Sequence, residues 1–275
     1  MTLRNLAENT KKSYMRSIEG LARFYRLSPD RLTNDEMQKY LLYRIREEKR
    51  DWSTINVDFS AYRCFYRELL GWEETRFHIP PRPKYKKLPM VMTLEEVLAI
   101  VDATPNLKHR ALLTTTYSGG LRVKEVVRLR PDHIESKRML IRVEQGKGRK
   151  DRYKILAQTT LAMLKDYRRA YRPGEWLFFG RDKTEHMPSR TAQKIYQNAK
   201  KASGITKGRG IHTLRHCFAT HHLERGTDIY TIKKMMGHKS LETTLKYLHV
   251  ADTSICRIKS SMDEINENRA MGGKK

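Results

Sequence analysis

The chain has 275 residues, with 56 Lys and Arg against 31 Asp and Glu, a formal net charge of +25 and a hydrophobic share of 39%. That length allows two domains with cores of their own, and a surplus of this sign favours a polyanionic partner, nucleic acid first, because cations that neutralise phosphates release condensed counterions. No apolar run is long enough to span a membrane, and three cysteines (Cys64, Cys217, Cys256) without CxxC spacing argue against a disulfide framework and a zinc site.

In chain order, the first 70 residues read as helices. Leu6, Thr10, Tyr14, Ile18, Leu21 and Tyr25 recur at three- and four-residue intervals and share one face. Thr33 and Glu36 form a capping-box pattern ahead of Met37, Tyr40, Leu41 and Ile45. A third helix starts near Ser53, carries Ile55, Phe59, Tyr62, Tyr66, Leu69 and Leu70, and stops at Gly71. These helices either clamp a duplex or form a plain bundle. The run 79–89 (IPPRPKYKKLP) has three prolines in five residues, which deny it a helical ladder. The expected organisation is an N-terminal helical domain over 1–78, a basic linker over 79–90, a second domain over 91–250 and a tail over 251–275. Residues 91–275 hold 37 basic against 19 acidic side chains, so most of the attraction for a polyanion lies there.

The second domain opens on another capping box, Thr93 with Glu96, and continues as helices to about Tyr117 before a turn at Ser118, Gly119 and Gly120. Residues 139–144 and 152–156 read as strands joined by a glycine-containing loop, and 176–179 as a further short strand. From Thr159 onward the pattern is mainly helical, punctuated by Pro188, Gly204, Gly226 and Gly237. The fold class is therefore mainly α with a small β-sheet (α+β). In the tail, Ile255, Ile258, Met262 and Ile265 give a narrow apolar stripe. The polar opening of the chain, with no secretory signal, makes a cytoplasmic location the expectation.

Phosphodiester cleavage without a metal needs cationic donors for the non-bridging oxygens, a nucleophile, and an acid for the departing oxygen. Arg122 follows the glycine turn at the start of an apolar helix, where an exposed pairing with Glu125 is the competing reading. His212 and Arg215, three residues apart, share a helical face. His212, His216, His221 and His222 lack acidic or Cys ligands at metal-binding spacing, and His109, His133 and His186 read as ordinary surface histidines. Gly237 and His238 form a helix stop, with Tyr247 nine residues beyond His238; taken alone, that tyrosine is an ordinary half-buried aromatic.

The order of Arg122, a lysine on the hairpin loop, His212 with Arg215, His238 and Tyr247 resembles the tyrosine recombinase (phage integrase) family. Three stretches carry the resemblance: 118–130 (SGGLRVKEVVRLR), 146–152 (GKGRKDR), and 212–220 (HTLRHCFAT) continuing to 247–250 (YLHV). It covers about 91–250, and extends loosely to an N-terminal domain that looks like the family's core-binding, SAM-like domain. The resemblance implies a site-specific recombinase that breaks and rejoins double-stranded DNA through a 3′-phosphotyrosyl link and a Holliday junction. Such an enzyme works as a tetramer on two DNA sites and needs neither cofactor nor metal, membrane or small-molecule substrate. Arg122 and Arg215 would clamp the scissile phosphate, Lys147 would be the general acid (with Arg149 and Lys150 as neighbouring alternatives), and His212 would assist proton transfer. His238 would bond a phosphate oxygen, Tyr247 would attack, and Glu125 would orient an arginine. The tail helix would dock on a neighbouring protomer or on its own domain. Met236 stands where the family usually has leucine. A type IB topoisomerase and a non-catalytic DNA-binding protein are the alternatives; the first is disfavoured by the His-x-x-Arg box and hairpin, the second by the presence of all six polar residues.

Overall fold

The computed structural model describes residues 6–83, 89–144, 151–248 and 250–251. The chain divides into two compact units, Met1–Lys86 and Lys87–Lys275, mostly helical with one small antiparallel sheet. Among the described residues no helix is long and apolar enough to cross a membrane. Lys147, Arg149, Lys150, Cys256 and the apolar stripe of the tail lie outside the described residues.

In the first unit, α1 (Glu8–Tyr25), α2 (Asn34–Arg46) and α3 (Trp52–Arg63) surround a core that includes Leu21, Met37, Leu41, Ile55, Tyr62 and Phe77. The Thr33 capping box forms as the sequence predicts: the Glu36 amide donates to Thr33 Oγ1 at 3.3 Å, and the Thr33 amide donates to Glu36 Oε2 at 2.8 Å. One buried carboxylate ties the three helices together. Asp58 accepts from the Ser17 hydroxyl at 2.7 Å and from Arg44 Nη2 at 3.0 Å. Helix α3 continues as a π-helical turn, Cys64–Leu69. The wider turn shifts the phase of the apolar stripe, so Tyr66 stays buried while Leu69, expected on the inner face, is 64% exposed. Beyond it the chain remains fastened to this unit: Gln38 bonds both backbone groups of His78, and Trp52 Nε1 donates to the Pro80 carbonyl at 2.9 Å.

The second unit contains α4 (Leu94–Asp102), α5 (Leu107–Ser118), the single turn α6 (Val123–Val126), and the strands β1 (Ile134–Glu135), β2 (Leu140–Val143) and β3 (Arg152–Ile155). The strands pair antiparallel in the order β1-β2-β3, with Ile141 opposite Lys154 and Val143 opposite Arg152. Helices α7 (Gln158–Tyr171), α8 (Ser189–Ala202), α9 (His212–Glu224), α10 (Ile229–Met236) and the single turn α11 (Glu242–Leu245) follow. The two expected hairpin strands are present. Residues 176–179, expected as a strand, contribute only one bridge, Phe179 to His186. His133, expected at the surface, is buried, because its Nδ1 accepts the Arg130 amide in a 3₁₀ turn.

Helix α9 packs on α4, α5 and α10 and is buried around most of its circumference, as a central helix must be. Fully burying a Leu or Phe side chain is favourable by about 2 kcal/mol, so Leu214, Phe218 and Leu223 fix α9 rigidly, together with the polar groups it carries. A smaller apolar cluster contains Phe218, Leu223, Ile232, Met236 and Tyr247.

Candidate active site

The C-terminal end of α10 gathers the site. A helix leaves its last carbonyls without intrahelical partners, and here two arginines use them: Arg215 donates through Nη2 to the Met236 carbonyl, and Arg122 through Nη2 to that of Gly237 at 3.5 Å. Cations at this end also meet the negative pole of the helix dipole. Arg215, 4% exposed, donates its Nη1 to the Gly120 carbonyl at 2.5 Å, so its fork is braced from two sides.

Both flanking glycines are structurally required. Gly120 has φ +55, and a Cβ there would lie 2.4 Å from the Phe218 ring; Gly237 has φ +59, and a Cβ there would lie 2.7 Å from Arg152 Nε. Arg122 caps α6, with its amide donating to Glu125 Oε2 at 3.0 Å and its Nη1 to Oε1 at 2.8 Å. The exposed Arg122–Glu125 pair weighed from sequence is instead a half-buried one, and Arg152 Nη2 shares the same Oε1 at 2.5 Å. Burial alone would raise the Glu125 pKa, but the Arg122 hydrogen bonds and the Arg152 and Arg122 charges outweigh it and hold the carboxyl down at about 2.

His238 sits just past α10. Its Nε2 lies 3.4 Å from Arg215 Nη2 and its Nδ1 2.9 Å from Thr244 Oγ1. Arginine has only donors, so Nε2 accepts here and Nδ1–H donates to the threonine. Burial, then Arg215 and Arg122, push this imidazole down to about 3, so it is neutral at physiological pH. Thr244 belongs to α11, and the Tyr247 amide donates to the Thr244 carbonyl at 2.9 Å. The Tyr247 ring stacks on His238, with centroids 6.2 Å apart and planes 8° apart, and Lys246 Nζ lies 5.1 Å from its centre.

The phenol is 1% exposed, and its hydroxyl pairs with His216 Nδ1 at 2.9 Å. Burial raises the phenol to about 12 against the opposing pull of Arg215 and Arg122. His216 is pushed down to about 4 by burial, then by Lys246, His212 and Arg215. His212 opens α9 as an exposed residue; burial of its inner side, then Arg215 and Arg122, lower its pKa.

Arg122, His212, Arg215, His238 and Tyr247 thus surround one locus, while Lys147 lies outside the described residues. Sequence reasoning missed three groups here. His216 occupies the position after Arg215, but its partner is 31 residues away, where no local pattern shows it. Arg152 and Lys154 alternate along β3 and face inward, while Tyr153 and Ile155 are exposed. Hydrophobic alternation would have favoured the opposite face.

The sequence pattern of the Phage integrase family matches residues 90–254, and that of the Phage integrase N-terminal SAM-like domain matches residues 1–74. The Sinorhizobium fredii protein designated integrase/recombinase y4qK is 40% identical over 267 residues, covering 96% of this chain and 86% of the relative. A tyrosine recombinase of Thermosipho africanus is 30% identical over 261 residues, covering 91% of this chain and 92% of the relative. Among solved structures, a lambda integrase dimer bound to a COC′ core site superposes with a TM-score of 0.72 at 21% identity, covering 88% of this chain and 92% of that one.

Proposed function

The chain belongs to the phage integrase family and is a tyrosine-type site-specific recombinase, and from that premise we propose that it cuts and reseals double-stranded DNA through a covalent 3′-phosphotyrosyl intermediate at Tyr247. The observation that carries the reading is the meeting of a phenol with two arginines and a neutral histidine around the end of α10.

Arg122 and Arg215 engage the two non-bridging oxygens of the scissile phosphate, for which the planar guanidinium fork is suited. Their bonds to backbone carbonyls and Glu125 pre-orient them, so little reorganisation accompanies the charge that builds on the non-bridging oxygens. His238 turns to donate from Nε2 to a phosphate oxygen. That change of tautomer is easily met at its other nitrogen, because the Thr244 hydroxyl can donate as readily as it accepts.

Tyr247 Oη then forms its bond to phosphorus as the bond from phosphorus to the 5′-oxygen breaks. The phenolic proton is released, and the 5′-oxygen takes a proton from a general acid, the role we assign to Lys147, with His212 assisting. His216 holds the phenol rather than deprotonating it. Burial lowers the affinity of His216 for a proton and raises that of the phenol, so both shifts oppose that transfer. Attack therefore begins with Tyr247 leaving His216 for the arginines. Because the link stores the energy of the broken bond, a second strand's 5′-hydroxyl reseals it without ATP. Exchange between two duplexes then runs through a Holliday junction held by four protomers.

The test uses duplexes, found by footprinting, nicked near the cleavage position so that the cut is trapped. Wild type is expected to give a protein–DNA adduct stable to denaturation, and Tyr247→Phe to give none while retaining site binding. Equal adduct from both proteins refutes the assignment of Tyr247.

A further inference from the structure

Lys154 is an ionisable side chain beside the site that this mechanism leaves unused. It lies on the inward face of β3 opposite the apolar Ile141 and is 2% exposed, and among the described residues its buried Nζ has no hydrogen-bond partner. A buried ammonium in that position carries a large desolvation cost unless an anion meets it.

Its surroundings offer little compensation. Arg152 is on its own strand, Arg122 and Glu125 are at α6, Arg215 is on α9, and all four act on it electrostatically. His238, past α10, is in turn influenced by Lys154. Helix α10, which packs against β3, adds Lys233 and the exposed Lys234 in its last turn. Three guanidiniums against one carboxylate already leave an excess of positive charge, and guanidiniums cannot shed theirs. Lysine can. Burial, then Arg215 and Arg152, drive Lys154 well below the ordinary lysine value.

We propose that Lys154 is a second lysine of the cleavage site, which takes up a proton from solvent when the scissile phosphodiester enters and supplies the variable part of the positive charge that stabilises the cleavage transition state. The incoming anion adds counter-charge to that of Glu125. Lys154 thereby couples phosphate binding to proton uptake, while Arg122 and Arg215 remain the fixed clamp. This rests on the strand-cleavage reading above, and the test separates the two.

The full chain and the variants Lys154→Met and Lys154→Arg are melted near pH 7.5 and near pH 10, in sodium chloride and in sodium sulfate of equal ionic strength. Sulfate is the probe because it stays dianionic throughout. In chloride, Lys154→Met is expected to melt a few degrees above wild type near pH 7.5. The unfolded lysine binds a proton that the folded one resists, so wild-type stability climbs with pH and the gap narrows near pH 10. Sulfate is expected to raise the melting temperature of wild type more than that of Lys154→Met near pH 7.5, and this advantage is expected to fade near pH 10. A pH-independent gap, or equal sulfate effects on wild type and Lys154→Met, overturns the proposal.

On the trapped duplex, Lys154→Met is expected to form adduct on the order of tenfold or more slowly than wild type near pH 7.5, with the ratio shrinking as pH rises. Lys154→Arg, whose charge is fixed, is expected to lose the pH dependence of the wild type. Should wild type form no adduct, the cleavage reading fails, and the sulfate measurements still decide whether Lys154 responds to an oxyanion.

Discussion

Glu125 allows two guanidinium groups to lie side by side, since Arg122 and Arg152 both donate to its Oε1. Its pKa of about 2 is depressed from an ordinary 4.5, so the stability it contributes is complete above pH 4.5 and drains away as pH falls towards 2. The difference corresponds to about 3 kcal/mol at neutral pH. Glu125→Gln is therefore expected to lose about that much stability in urea titrations near pH 7, and the gap from wild type should close as both are taken towards pH 2. A gap that persists at the acid end would mean that the carboxylate's charge is not what matters. On the trapped duplex the same variant should cleave slowly, because Arg122 loses the partner that orients it.

At the scale of elements, the turn between α5 and α6 sets the arginine geometry, as Gly120 both turns the chain and offers its carbonyl to Arg215. Gly120→Ala would force a positive φ on alanine and drive its Cβ into Phe218. We expect a loss of about 2–4 kcal/mol, read by thermal unfolding, and a displaced Arg215, read as slower adduct formation by the fraction that remains folded. Features of this kind were legible in the sequence because they are local. The capping boxes at Thr33 and Thr93, the Gly120 turn, the spacing of His212 and Arg215 and the stop at Gly237 each need only a few adjacent residues. The π-turn after α3, the two-residue β1, the burial of His133 and the inward face of β3 were not legible, because packing against distant parts of the chain decides them. The pairing of His216 with Tyr247 belongs with these: each residue looked ordinary, and only the tertiary fold joins them.

At the scale of the whole molecule, a net charge of +25 should make binding to DNA steeply dependent on salt. If six or more phosphates are neutralised, affinity is expected to fall by about a thousandfold or more between 50 and 200 mM salt, as measured by fluorescence anisotropy on a labelled duplex; a shallow slope would mean that the excess charge faces away from DNA. The same attraction draws the chain to every stretch of a chromosome, almost all of it the wrong sequence. An enzyme with an open, ionised nucleophile would leave a trail of nicks along that search. On the chemistry proposed for Tyr247, its place in an apolar cluster and its bond to His216 would act as a safety catch against random collisions, so that packing would guard the DNA before sequence recognition begins.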